Sequence, residues 1–169
     1  PQLVQGMADM LDRLYASQNR KVTLIGHSLG GLYARELARA MPEKVRGVIS
    51  LGSPIAGDTG FGDNLPARVF DFFNRHHVPP SARALNHDAP PVPCTAVCSK
   101  TDVVVHWKKS IQLTTHAQCE NVVVASSHSG MTNSPAVWAV IINRLSQSEN
   151  AWQPLTASRL ASFFYRALP

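Results

Sequence analysis

Apolar residues recur at three- and four-residue steps at the start of the chain: Leu3, Val4, Met7, Met10, Leu11, Leu14 and Tyr15. This stripe predicts an amphipathic helix over residues 2–17, ended by Ser17-Gln18-Asn19. The pattern then becomes short, apolar and β-branched in Lys21-Val22-Thr23-Leu24-Ile25, bounded by Gly26, which predicts a buried strand. Residues 29–40 return to helical spacing, with Leu32, Leu37 and Ala40 inward, and Pro42 stops them. Residues 45–51 are the next strand. Strand, helix and strand at this spacing argue for parallel βαβ units.

Residues 54–91 break the rhythm with six prolines, the sequence Gly57-Asp58-Thr59-Gly60-Phe61-Gly62, and Phe61, Phe70, Phe72 and Phe73. They predict an insertion over the sheet with one short helix near 66–76. Strands resume at 92–98 and 121–125. Ser134-Pro135 places a capping side chain before a proline at the first helical position. The helix that follows runs to about Leu145 and carries Val137, Trp138, Val140, Ile141 and Ile142. A last stretch, 155–168, sets Leu160, Phe163, Phe164 and Ala167 on one face and predicts a terminal helix. There are no internal repeats. The reading is one α/β domain over residues 1–169 with four parallel strands.

Composition narrows the classes. With 44% hydrophobic and 16% charged residues, the chain is neither disordered nor collagen-like nor a coiled coil. No apolar run approaches the ~18–20 residues of a spanning helix. The formal net charge is +5, but the basic residues are scattered, the longest run being Lys108-Lys109, which argues against a nucleic-acid partner. The cysteines, Cys94, Cys98 and Cys119, show no CxxC spacing and no His/Cys ligand cluster, so no zinc site is expected. The chain begins at Pro1 without a signal segment, which reads as a processed or partial chain, and its compartment stays open.

The chemistry concentrates in Gly26-His27-Ser28-Leu29-Gly30-Gly31, a G-x-S-x-G motif between a strand and a helix. A serine hydroxyl is a poor nucleophile unless it is lifted clear of the chain and offered to a base. A sharp strand-to-helix turn does this at the cost of strain and crowding, which glycines at 26 and 30 are expected to relieve. The helix start also aims N–H groups at the place where an oxyanion would form.

Val22–Leu32 resembles the nucleophile elbow of the α/β-hydrolase fold in its lipase/esterase branch, and Leu51-Gly52-Ser53-Pro54-Ile55-Ala56-Gly57 resembles a stretch of bacterial lipase-like hydrolases. The resemblance implies a parallel sheet with flanking helices, the 54–91 insertion as a cap, and a triad in the order Ser, Asp/Glu, His at carboxyl ends of strands. Ser28 is the nucleophile it implies. His128, in Ser126-Ser127-His128-Ser129-Gly130 after a strand, matches the base position. His27 reads as structural; His76, His77 and His87 lie in the insertion, and His106 and His116 read as surface. Asp102 follows the strand 92–98 and is the expected acid, with Asp58 or Asp63 as rivals and a turn aspartate as the plain alternative.

The Leu29 N–H supplies one oxyanion donor; the second is expected upstream, on a loop after an early strand that this sequence does not include. The strand at 21–25 would then stand at the sheet edge. The implied substrate is a small-molecule ester or lipid, cleaved through an acyl-enzyme, with no metal or organic cofactor, no transmembrane segment and no protein partner indicated. Acyl transfer or thioester cleavage by the same triad, and a catalytically silent fragment or binding module, are the other readings. The insertion phenylalanines would form an apolar lid over Ser28 or anchor the insertion to the core. Cys94 and Cys119 near neighbouring strand starts would permit a disulfide, whereas Cys94 and Cys98 on one strand stand ~13 Å apart, too far to bond.

Overall fold

A computed structural model describes residues 2–56, 88–113, 116–155 and 165–168. Helix α1 (Gln2–Gln18) leads to strand β1 (Val22–His27), helix α2 (Leu29–Ala40) and strand β2 (Val45–Leu51). Strands β3 (Cys94–Cys98) and β4 (Cys119–Val124), helix α3 (Pro135–Ser146) and strand β5 (Tyr165–Leu168) follow. The sheet runs β1-β2-β3-β4-β5 in space. The first four strands are parallel, as their alternation with helices requires, and β5 pairs antiparallel with β4.

Side-chain alternation along the strands sorts the core into two faces. On one, Leu11 of α1 and Ala34 and Ala38 of α2 pack against Val45, Val48 and Cys94. On the other, Val137, Val140 and Ile141 of α3 pack against Ile49, Val97, Val122 and Val124. Glu120 is buried on the α3 face, where its carboxylate takes Arg144 Nη1 at 2.9 Å, the Thr95 hydroxyl at 3.1 Å and the Leu155 N–H at 2.8 Å. A buried charge is tolerable only with such a complete set of partners.

Several expectations change. Within the stretch expected as a terminal helix, Tyr165–Leu168 is a strand whose backbone pairs Val124↔Tyr165 through Asn121↔Leu168, and Leu160, Phe163 and Phe164 lie outside the described residues. Its donors and acceptors cover what would otherwise be the open side of β4, and that pairing outweighs the helical spacing. Ala40 is exposed, and Ala38 faces the core instead. Ser134 makes no side-chain cap bond, so only Pro135 marks the start of α3. Within α3, Trp138, Ile142 and Leu145 are exposed. Residues 57–87 lie outside the described set, and with them the helix near 66–76, Asp58, Asp63, His76, His77, His87 and the insertion phenylalanines. Among the described residues, β1 stands at one edge of the sheet and β5 at the other, and no helix is long and apolar enough to cross a membrane.

Candidate active site

Ser28 stands between β1 and α2 with φ 54° and ψ −123°, a backbone state that costs a non-glycine residue about 1–3 kcal/mol. The neighbouring chain holds it there. Its N–H donates to the Leu51 carbonyl at 2.8 Å, and its own carbonyl accepts from the Gly31 N–H at 3.1 Å. The turn packs so closely that a Cβ at Gly26 would strike the backbone of Gly30 and Gly31, and one at Gly31 would strike the Ser53 side chain. At Gly30 a Cβ meets nothing within 4 Å, so the crowding falls on Gly26 and Gly31 and not on Gly26 and Gly30 as expected. Leu29 opens α2, and the N–H groups of a first helical turn have no partner within the helix.

Asp102 and His128 meet after β3 and β4. His128 Nδ1 lies 2.7 Å from Asp102 Oδ2, with both residues buried. Asp102 Oδ1 accepts the N–H groups of Val104 and Val105 at 2.8 and 2.9 Å. The turn-aspartate role and the histidine contact therefore coexist, one on each carboxylate oxygen. The two loops are stapled as well: Ser99 Oγ donates to the Ser126 carbonyl at 2.6 Å, and Thr101 Oγ1 donates to it at 2.9 Å.

The strands carry these groups to one rim. Gly52 follows β2 at φ 53°, and a Cβ there would lie 3.1 Å from Asp102 Oδ2 and 3.3 Å from His128 Nδ1. His27, beside Ser28, sets its Nε2 3.0 Å from the His128 carbonyl, with the two ring centres 4.7 Å apart. Burial lowers the His27 pKa below its ordinary 6.5. Ser28 Oγ is buried and makes no hydrogen bond among the described residues. Catalytic hydrogen bonds are often loose until substrate is present. Gly52, Ser99 and Thr101 had no signal in the spacing of the sequence, because their roles depend on which strand ends stand side by side.

A different cluster lies at the opposite rim. Cys94 opens β3, Cys119 opens β4, and the two are register partners. One donor atom from each of Cys94, His116 and Cys119 falls within 4.8 Å of the others, which corrects the expectation of no His/Cys cluster. Strand register makes this neighbourhood from residues far apart in sequence. All three cysteines are free thiols, so Cys94 and Cys119 are not bridged. The Cys94 thiol donates to the Val92 carbonyl at 3.1 Å. The neighbouring Cys94 and Cys119 sulfurs shift each other in opposite directions, Cys119 down and Cys94 well up, and burial raises Cys98 to about 11. His116 is half-buried with Nε2 3.0 Å from the Pro90 carbonyl, whereas His106 is exposed.

A family model described as the alpha/beta hydrolase fold matches residues 6–90, just over half of the 169 residues. No curated protein matches the chain. Among solved structures, the monoacylglycerol lipase of Paleococcus ferrophilus is similar at 16% identity and a TM-score of 0.55, over 84% of this chain and 72% of that one. Est1E from Butyrivibrio proteoclasticus is similar at 15% identity and a TM-score of 0.55, over 85% and 68%. Aspergillus fumigatus lipase B is similar at 17% identity and a TM-score of 0.67, over 89% of this chain but only 42% of that one. At these identities the likeness is one of fold.

Proposed function

Since the chain belongs to the α/β-hydrolase fold family, we propose that it is a serine hydrolase of carboxylic esters, with Ser28 as nucleophile, His128 as base and Asp102 as the acid that orients it. The observation that carries this reading is the buried 2.7 Å contact between His128 and Asp102 on the rim that also holds Ser28. With Asp102 ionised, His128 keeps its proton on Nδ1 and presents Nε2 as the basic nitrogen. Nε2 takes the Ser28 proton as Oγ attacks the ester carbonyl, and the Leu29 N–H stabilises the oxyanion. His128 then returns that proton to the departing alcohol, leaving an acyl-enzyme. Water activated by His128 releases the acid and restores Ser28. A small-molecule ester or lipid is the substrate class. The lipases and esterases among the similar structures support this class by analogy of fold.

A fluorophosphonate probe tests the reading, because it reacts only with an activated serine. The full chain should take up one probe at Ser28 and hydrolyse short p-nitrophenyl esters, and Ser28→Ala should lose both while keeping its circular dichroism. Labelling that persists in Ser28→Ala, or a folded chain inert to the probe, would overturn it. Offering alcohol and thiol acceptors beside water separates hydrolysis from acyl transfer.

A further inference from the structure

The sulfur and imidazole cluster at the amino rim has no part in the ester chemistry. We propose that Cys94, His116 and Cys119 form a binding site for one divalent cation of the zinc type, clipping the starts of β3 and β4 together.

Geometry comes first. Zinc bonds of ~2.3 Å to sulfur and ~2.0–2.1 Å to nitrogen put tetrahedral donors roughly 3.5–3.8 Å apart. The three donor atoms already lie within 4.8 Å of one another, so small side-chain rotations close the set. Cys94 and Cys119 face each other across the β3–β4 ladder on the face covered by α1 and α2, and the backbone fixes that pairing. His116 is tied to the same place by a turn in which the Cys119 N–H donates to the His116 carbonyl at 3.0 Å. Its ring is held at both nitrogens, Nε2 at Pro90 O and Nδ1 accepting the Gln118 N–H at 3.3 Å. Binding exchanges one of these two bonds for the metal, and the other orients the ring as an outer contact.

Donor chemistry then selects the ion. Two thiolates and an imidazole suit zinc and exclude calcium and magnesium, which require oxygen. Both thiols give up their protons to solvent as the metal enters. A divalent cation with two thiolates is neutral, and the neighbouring buried Arg35 keeps its own partners, Gln112 and the Asp88 carbonyl. His116 and Cys119 are half-buried, so an ion can reach them from solvent.

Anaerobic titration of the reduced full chain with cobalt(II) tests the site. One equivalent should produce a thiolate-to-cobalt charge-transfer band with tetrahedral d–d bands, and zinc should displace it. Cys119→Ser and His116→Ala should weaken binding by more than the roughly 10–100-fold that a lost outer contact costs, and Cys98→Ser should leave it unchanged. Zinc should also raise the thermal midpoint of the wild type and not that of His116→Ala, whose fold is checked by circular dichroism. A reduced wild type that gives no thiolate–cobalt band overturns the proposal. So does a band of equal affinity in His116→Ala and Cys119→Ser. Loss of the ester activity would not bear on it, since the two rims use different residues.

Discussion

Ser28 and Gly52 both stand at positive φ, 54° and 53°, at the ends of the neighbouring strands β1 and β2. For Ser28 the conformation lifts a hydroxyl. For Gly52 it makes room, because a Cβ there would also lie 3.1 Å from Met131 Sδ as well as against Asp102 and His128. Gly52→Ala should cost about 1–2 kcal/mol of stability from its left-handed backbone. It should also lower kcat/KM toward an ester about 10²-fold by displacing the imidazole, read as slower fluorophosphonate labelling of a folded protein. His27 gives a pH prediction. Its folded pKa lies below 6.5, so its contribution to stability is whole above 6.5 and is lost as pH falls through that value toward the folded one. Urea unfolding should show this loss on the acid side, and His27→Asn should flatten it.

Elements were legible where one period ran unmixed. Leu29–Ala40 and Val45–Leu51 lie where the spacing and the terminating Pro42 put them. Tyr165–Leu168 was not, because four residues show no alternation that outweighs a helical face and their partner, β4, is remote in sequence. The same limit governs the candidate site. Ser28 is announced by local glycines, and Asp102 and His128 by their order after strands. Gly52, Ser99 and the Cys94–His116–Cys119 cluster acquire neighbours only through register. β5 carries its own test. Ending the chain at residue 164 should uncover β4, lower the thermal midpoint and promote aggregation seen by light scattering.

Across the whole molecule, one sheet separates two groups of polar side chains. The buried serine, imidazole and carboxylate gather where the strands end, and the soft donors gather where β3 and β4 begin. β4 touches both, since Cys119 opens it and the loop after Val124 leads to His128. Its outer neighbour β5 runs the opposite way, from Tyr165 beside Val124 to Leu168 beside Asn121. A load applied to the chain just after Leu168 would therefore peel this strand rung by rung, beginning near the thiols and reaching the histidine-bearing end last. Pulling there would strain the thiol margin before it disturbed the one that holds the serine.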